Sequence, residues 1–172
     1  MSVVFRGRWF AVEQSPVVMP NGRTVVMEWV TRPDGVRVIA RRDDGDVLIT
    51  DEYREELGRR DFRLPGGKVE GAHTPLEAAR GELLEETGFE AAEWTYLGAT
   101  QAFTMVRYRL HYFLAEGLSA ASGAPEHDEG EDISVCWFSP DEARAMALDG
   151  RIGEDLSALQ ILRLWSNGGS QR

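Results

Sequence analysis

The sequence predicts an α+β domain in which strands outnumber helices and one central helix carries a cluster of acidic residues. Apolar runs of strand length alternate with tight-turn sequences such as Asn21-Gly22, which indicates several short strands. A well-marked helix begins at Thr74, and two further helical patterns close the chain. The 172 residues, of which 42% are hydrophobic, are enough for one globular domain with a real core.

The first part of the chain predicts a β-hairpin over residues 8–31. Two apolar runs flank Pro20-Asn21-Gly22, and both Asn and Gly tolerate the positive φ angles of a tight hairpin turn. An isolated hairpin is only marginally stable in water, so it must pack against something else. We therefore expect residues 1–33 to form an arm that packs on the body of the domain or on a second subunit.

The rest of the chain alternates strands and helices in a main domain over residues 34–167. Two helical patterns follow the strands, and the first has Ser139 as its N-cap and Pro140 at its first position. Residues 168–172 predict a flexible tail. The predicted strands lie at residues 36–40, 47–50, 94–103, 105–115 and 133–138, and the two helices at residues 139–148 and 155–165.

The central helix has clear start and stop signals. Thr74 is a suitable N-cap, Pro75 fits the first helical position, and Glu77 completes a capping box three residues after Thr74. Gly88 ends the helix. One apolar stripe is predicted to face the core; it is formed by Leu76, Ala79 and Leu83.

Three carboxylates share another face of this helix. Glu82, Glu85 and Glu86 lie three and four residues apart, where like charges repel by a few tenths of a kcal/mol per pair. Such a face is either solvated or provided with a cation. A divalent ion that prefers oxygen ligands, Mg²⁺ or Mn²⁺, suits these carboxylates together with a backbone carbonyl of the glycine-rich segment at residues 64–71.

Composition excludes several classes of partner. The net charge of −10 argues against binding to nucleic acid or to anionic membranes, both of which would repel the chain. No apolar run approaches the roughly 20 residues of a membrane span, and Arg6 and Arg8 interrupt the N-terminal apolar run, so no signal peptide is expected. Cys136 is the single cysteine, which excludes an intramolecular disulfide and fits a cytoplasmic protein.

Residues 66–89, GGKVEGAHTPLEAARGELLEETGF, resemble the Nudix box. With Gly67 as its first glycine, the pattern continues without gaps through Glu82, Leu83, Glu85, Glu86, Gly88 and Phe89. Residues 47–70 and 129–152 are similar to the ADP-ribose pyrophosphatase branch of that family. The resemblance implies the Nudix fold, a mixed β-sheet sandwiched between helices, with an N-terminal hairpin that is often exchanged across a homodimer.

The resemblance also implies a metal site and a general base. Glu82 and Glu86 would bind the metal directly, and the Gly66 carbonyl would supply a further ligand. Glu85 would bind it directly or through a water, and is counted with the catalytic residues. The base of this branch comes from a late loop, where Glu131 occupies the matching position and Glu129 is the alternative. The metal would be Mg²⁺ or Mn²⁺.

Three further residues are predicted to contact a small nucleotide substrate. Arg54 matches the arginine that this branch places near the substrate phosphates. Trp29 and Arg32, near the end of the hairpin, are predicted to stack on and contact the nucleobase, within one chain or across a dimer. The alternative for Trp29 is a place in the core or in a subunit interface.

The chain departs from the family pattern at two positions. His73 stands where the box has its first glutamate, and Gly81 where it has arginine; in the family these residues form a salt bridge that supports the loop and the helix. Arg80 points about 100° away around the helix and is a poor substitute. The resemblance as a whole still makes one prediction the leading one: hydrolysis of the pyrophosphate of ADP-ribose or a related nucleoside diphosphate sugar. The alternatives are a Nudix-fold nucleotide-binding module with weak or lost hydrolysis and a nucleoside triphosphate pyrophosphohydrolase.

Overall fold

The structure, a computed structural model, describes residues 1–55, 57–101, 104–122 and 132–167, and in these ranges the chain forms ten strands and three helices. The strands are β1 (Ser2–Arg6), β2 (Ala11–Val18), β3 (Thr24–Thr31), β4 (Gly35–Arg41), β5 (Val47–Arg54), β6 (Arg59–Arg63), β7 (Phe89–Thr100), β8 (Val106–Arg107), β9 (Leu110–Ala120) and β10 (Ile133–Phe138). The helices are α1 (Pro75–Thr87), α2 (Pro140–Asp149) and α3 (Asp155–Asn167).

The strands are arranged in two sheets. The larger sheet has the order β10-β5-β4-β9-β7, in which β4 and β9 are parallel and the other pairs are antiparallel. The strand β6 pairs with the second half of β5, beyond the two residues of β5 that pair with β4. The smaller sheet has the order β1-β2-β3-β8 and contains the N-terminal hairpin.

Helices cover both faces of the larger sheet. Successive residues of a strand point to opposite faces, so β4 contributes to two hydrophobic clusters. Val38 packs with Leu83 of α1 on one face, and Ile39 packs with Met146 of α2 and Ile161 of α3 on the other. The predicted α+β class, with a mixed sheet sandwiched between helices, is confirmed.

The sequence patterns missed two short strands and joined two others. β1 and β6 were not predicted, because each has only five residues, and in β6 three of the five are arginines that break the apolar pattern. The predicted strand at 105–115 is two strands, since β8 pairs with β3 in the smaller sheet whereas β9 pairs with β4 and β7 in the larger one. The first six residues of β9 are all buried, as expected of an inner strand covered on both faces.

The predicted N-terminal hairpin is present as β2 and β3, paired from Ala11↔Thr31 to Val18↔Thr24. The division into an arm at residues 1–33 and a main domain at 34–167 stays a prediction. β8, which belongs to the predicted main domain, pairs with β3 of the predicted arm. The predicted tail, residues 168–172, lies outside the described residues. None of the three helices, within the described ranges, is long and apolar enough to span a membrane.

Candidate active site

The loop between β6 and α1 runs along β4 and is fixed to it by backbone hydrogen bonds. The amide of Val38 donates to the carbonyl of Pro65 (2.9 Å), and the amide of Val36 donates to the carbonyl of Gly67 (2.9 Å). Gly66, between them, has a φ of 144° and lies so close to the Val36 carbonyl that a Cβ would overlap it. Only glycine allows this close approach.

The helix α1 begins where the sequence predicts. Thr74 is the N-cap, its hydroxyl accepts a hydrogen bond from the Glu77 amide, and the Glu77 carboxylate accepts one from the Thr74 amide (2.7 Å). Pro75 occupies the first turn, and Gly88 ends the helix with a left-handed φ of 71°. These caps fix where the carboxylates on α1 lie relative to the loop.

Two of the three predicted carboxylates turn towards the loop. The Glu86 side chain is buried and accepts a hydrogen bond of 2.8 Å from the backbone amide of Gly66. The Glu82 carboxylate lies directly over Gly67. Glu85 lies exposed on the same helix. The structure therefore brings Glu82, Glu86 and the Gly66 peptide together and leaves Glu85 at the solvent side.

The environment of Glu86 favours its neutral form when no cation is bound. Burial raises the pKa of the Glu86 carboxyl well above its usual range, and the nearby carboxylates of Glu52 and Glu82 raise it further. The hydrogen bond from Gly66 and the charge of Arg37 act in the opposite direction. A cation bound among these carboxylates would reverse the main effect, because it stabilises their ionised forms.

These donors fit a hard divalent cation in their chemistry. Glu82, Glu86 and the Gly66 carbonyl offer only oxygen atoms, as Mg²⁺ and Mn²⁺ prefer. In the described part of the chain, no three acidic, histidine or cysteine side chains already converge as a complete ligand set. The carbonyl, waters and substrate oxygens would have to complete the coordination, which is usual for Mg²⁺.

The predicted base cannot be placed, because Glu129 and Glu131 lie outside the described residues. The residue predicted to bind a substrate phosphate, Arg54, lies within the described residues. Arg54 stands at the end of β5, its side chain is 35% exposed, and its Nη1 lies 3.5 Å from Oε2 of the buried Glu52. Since Glu52 is near enough to act on Glu86, Arg54 is at the edge of the carboxylate cluster.

A cleft of about 420 Å³ opens beside the loop. Lys68, which follows Gly67, lines it together with Arg32 and the rings of Trp9 and Tyr108. The Arg32 guanidinium lies 4.9 Å from the centre of the Tyr108 ring, and the Lys68 ammonium 4.2 Å from that of Trp9. The volume and the mixture of aromatic walls and cationic groups suit a small anionic ligand with a flat ring.

Trp29 does not line this cleft. Its neighbour Val30 does, and adjacent residues of a strand point to opposite faces. The Trp29 ring is instead covered by the Arg107 guanidinium, 3.8 Å from its centre. Within one chain, Trp9 and not Trp29 lies beside Arg32 in this cleft, and the predicted contact of Trp29 and Arg32 with a nucleobase stays a prediction. A role for Trp29 across a dimer stays a prediction.

The two departures from the family pattern leave no salt bridge at their positions among the described residues. His73 is exposed, and its backbone amide donates to the Glu70 carbonyl (3.1 Å). Gly81 provides no side chain in the middle of α1. Arg80 lies against Trp94, with its guanidinium 5.9 Å from the ring centre, and does not replace the missing arginine.

Three charged residues near the site were not predicted. Glu52 is a buried carboxylate whose Oε1 accepts a hydrogen bond of 2.6 Å from the Thr50 hydroxyl. Arg37 and Glu154 form a largely buried ion pair below the loop. A signal for Arg37 was available, since it is the one charged residue within the apolar run at 36–40. Glu154 follows a glycine near the C-terminus and carries no comparable signal.

Comparison with known proteins agrees with these observations. A sequence model of the NUDIX domain matches residues 31–156. A methanol dehydrogenase activator of Bacillus methanolicus is 32% identical over 165 residues, covering 94% of this chain and 89% of that protein. An ADP-ribose pyrophosphatase of Bacillus subtilis (strain 168) is 32% identical over 166 residues, covering 94% of this chain and 89% of that protein.

A solved structure agrees with the fold. The crystal structure of an ADP compounds hydrolase superposes with a TM-score of 0.81 at 25% sequence identity, covering 99% of this chain and 94% of that one. The resemblance to the Nudix family, first indicated by residues 66–89, is confirmed by these matches, which cover most of the chain. The chain belongs to the Nudix hydrolase family.

Proposed function

We propose that this chain hydrolyses the pyrophosphate bond of ADP-ribose or of a related nucleoside diphosphate sugar, and releases a nucleoside monophosphate and a sugar phosphate. The observation that carries the proposal is the convergence of Glu82 and Glu86 on the Gly66-Gly67 loop beside a cleft with cationic and aromatic walls. Relatives with more than 30% identity include ADP-ribose pyrophosphatases, which supports the same substrate class.

Nudix hydrolases generally need divalent metal ions, and we propose Mg²⁺ or Mn²⁺ here. Glu82, Glu86 and the Gly66 carbonyl would hold the ion, and Glu85 would contribute directly or through a water. The ion would neutralise pyrophosphate charge and lower the pKa of a bound water. The buried site excludes bulk water around Glu86, so charges placed there interact more strongly than at the surface.

The remaining roles belong to the proposal as well. Glu131, or Glu129, would accept a proton from the attacking water. Arg54 would bind a substrate phosphate through charge-assisted hydrogen bonds. In the cleft, the nucleobase would stack on Trp9 or Tyr108, and Arg32 and Lys68 would supply positive charge for the diphosphate.

The test is product analysis on a panel of nucleoside diphosphate sugars, nucleoside triphosphates and dinucleotides, with Mg²⁺, with Mn²⁺ and with a chelator. Glu86→Gln keeps the shape of the buried side chain and removes one proposed ligand charge. Glu90→Gln, an exposed residue of β7, is the matched control. We expect metal-dependent release of AMP from ADP-ribose by the wild type and by Glu90→Gln.

In Glu86→Gln, turnover should fall by at least about 100-fold, because even residues that only orient a metal ligand reach that figure. Release of pyrophosphate from triphosphates in preference to ADP-ribose would favour the triphosphate alternative. Ligand binding without any turnover would favour the binding-module alternative. The reason for considering it is that His73 and Gly81 replace two residues of the family pattern.

We further propose that the enzyme is a cytoplasmic homodimer that binds neither nucleic acid nor membranes. The smaller sheet exposes many apolar side chains, among them Val4, Phe5, Val18 and Val26, each with more than half of its surface accessible. Exposed apolar patches of this kind mark interaction surfaces. Light scattering after size exclusion should give twice the chain mass of 19.2 kDa, and a monomer would refute the dimer without touching the hydrolase proposal.

A further inference from the structure

Arg37 is a largely buried arginine of β4 whose guanidinium contacts the loop beneath Glu86. Its side chain is only 13% exposed, and it points to the face of the sheet covered by α3. Nη1 donates hydrogen bonds to the Gly66 carbonyl (2.7 Å) and to the Val36 carbonyl (3.1 Å). Burying a charge costs free energy unless the charge is paired and hydrogen-bonded, so the partners of Arg37 are needed to keep it in this position.

Glu154, just before α3, fixes the guanidinium from the other side. Its two oxygens accept hydrogen bonds from Nε (2.9 Å) and Nη2 (3.0 Å) of Arg37, which is the bidentate geometry that sets the plane of a guanidinium. The Ser157 hydroxyl in the first turn of α3 also donates to Glu154. Arg37 is thus held in one orientation, with Nη1 directed at the loop.

The Gly66 peptide is hydrogen-bonded on both of its sides. Its amide donates to Glu86 and its carbonyl accepts from Arg37. A continuous series of hydrogen bonds therefore runs from Glu154 through Arg37 and Gly66 to Glu86, and connects α3 and β4 to α1. A carbonyl oxygen has two lone pairs, so the Gly66 carbonyl can accept from Arg37 and still offer one to a cation.

We propose that Arg37, anchored by Glu154, is a positioning residue that holds the Gly66 carbonyl and, through the Gly66 amide, the Glu86 carboxylate in place for the metal ion. The inference rests on the proposed metal site. The family pattern would support the loop from the helix side, through the positions of His73 and Gly81, and here the described chain supports it from the sheet side instead. Only a guanidinium has donors in a fixed fork that reach Glu154 and Gly66 at once.

The experiment measures Mn²⁺ affinity by calorimetry on protein without substrate, below the thermal unfolding temperature of each variant. Arg37→Met should raise the Kd for Mn²⁺ by about tenfold or more, the usual cost of losing a residue that orients a ligand. Arg37→Lys keeps the charge but cannot serve both partners, so it should also weaken binding, by less. In turnover assays the metal concentration for half-maximal rate should rise in the same order.

Arg41→Met is the matched control. Arg41 is the other arginine with an ion pair on β4; its Nη2 lies 2.5 Å from Oε1 of Glu116, and the hydrogen bonds of its guanidinium in the described part of the chain go to Glu116. The substitution removes a partly buried ion pair of the same strand. It should lower stability without changing the Kd for Mn²⁺.

Arg37→Met leaves Glu154 without its partner, so the variant that also carries Glu154→Gln separates folding from positioning. If this double variant folds and binds Mn²⁺ as weakly as Arg37→Met, the positioning role stands. Wild-type affinity in the double variant or in Arg37→Lys would overturn it. Arg37 and Glu154 would then only neutralise each other's charge and would have no effect on the metal site. Failure of the wild type to bind Mn²⁺ at all would instead refute the proposed metal site.

Discussion

The carboxylate of Glu82 reaches back from α1 to lie directly over Gly67, so close that a Cβ at this position would overlap both of its oxygens. The sequence separates the two residues by a loop and almost two turns of helix. The relationship explains why the second glycine of the loop is required, since the φ angle of Gly67 is not in the positive range reserved for glycine. Its role is to leave space for a carboxylate.

Gly67→Ala is therefore expected to displace Glu82 from the loop. The methyl group adds no backbone strain, so the effect should be on metal binding more than on folding. We expect the Kd for Mn²⁺ to rise by about tenfold or more. Calorimetry with Gly67→Ala beside Gly81→Ala, whose methyl group would meet only Oε1 of Glu85 at an ordinary contact distance of 3.4 Å, checks this; equal affinities in the two variants would contradict it.

Trp9 is expected to contribute to substrate binding and Trp29 is not. Trp9 lines the cleft with Arg32, whereas Trp29 is covered by Arg107 on the other face of its strand. Loss of one base–aromatic stack costs about 1–3 kcal/mol, so Trp9→Ala should raise KM for ADP-ribose by about 5- to 150-fold with a small change in kcat. Steady-state kinetics of Trp9→Ala and Trp29→Ala decide the matter, and a larger effect of Trp29→Ala would favour a site shared across the dimer.

Local sequence signals were enough to predict the central helix and the identity of its acidic face. Thr74 and Glu77 act on each other at the start of the helix, Gly88 acts on the last turn at its end, and each cap depends only on such close neighbours. The Asn-Gly turn of the first hairpin is a signal of the same local kind. The family resemblance then added expectations that local chemistry alone could not supply, including a role for the Gly66 carbonyl.

Relationships between distant segments were not predictable from one sequence. Arg37 and Glu154 are 117 positions apart, and nothing local indicates that β4 and the start of α3 share a site. The place of Trp9 in the cleft was not predicted for a related reason. Trp9, between β1 and β2, meets Val30 of β3 and Val106 of β8 in the cleft, and a two-residue strand such as β8 has no clear pattern in the sequence.

Acid is expected to weaken the ion pair of Glu154. Burial opposes ionisation of Glu154, but the charge and hydrogen bonds of Arg37 outweigh it and hold the pKa of Glu154 below its ordinary value of 4.5. The unfolded chain therefore takes up the proton first. The stabilisation is present above about pH 4.5 and is lost as the pH falls through the lower pKa of the folded state.

Glu154→Gln should accordingly lower the free energy of unfolding by about 1.5–3 kcal/mol near neutral pH, as expected for hydrogen bonds to charged groups. The difference from the wild type should shrink as the pH falls below about 4.5. Chemical denaturation of both proteins from pH 3 to 7 tests it. A difference that is independent of pH would show that packing, and not the ionised carboxylate, makes the contribution.

Replacing Gly81 should stabilise the helix without improving the metal site. Gly81→Ala should raise the free energy of unfolding by about 1 kcal/mol, the cost of glycine inside a helix, and raise Tm by about 2–4 °C. Gly88→Ala is the opposite control, because its φ of 71° is strained for alanine, so Tm should fall.

The double variant His73→Glu with Gly81→Arg restores the residues of the family pattern, and its Tm should exceed that of Gly81→Ala. Its Kd for Mn²⁺ should stay near the wild-type value, because Arg37 already holds the Gly66 carbonyl. A marked gain in Mn²⁺ affinity would mean that the sheet-side contact is incomplete; no gain in Tm beyond Gly81→Ala would mean that no salt bridge forms between the two positions.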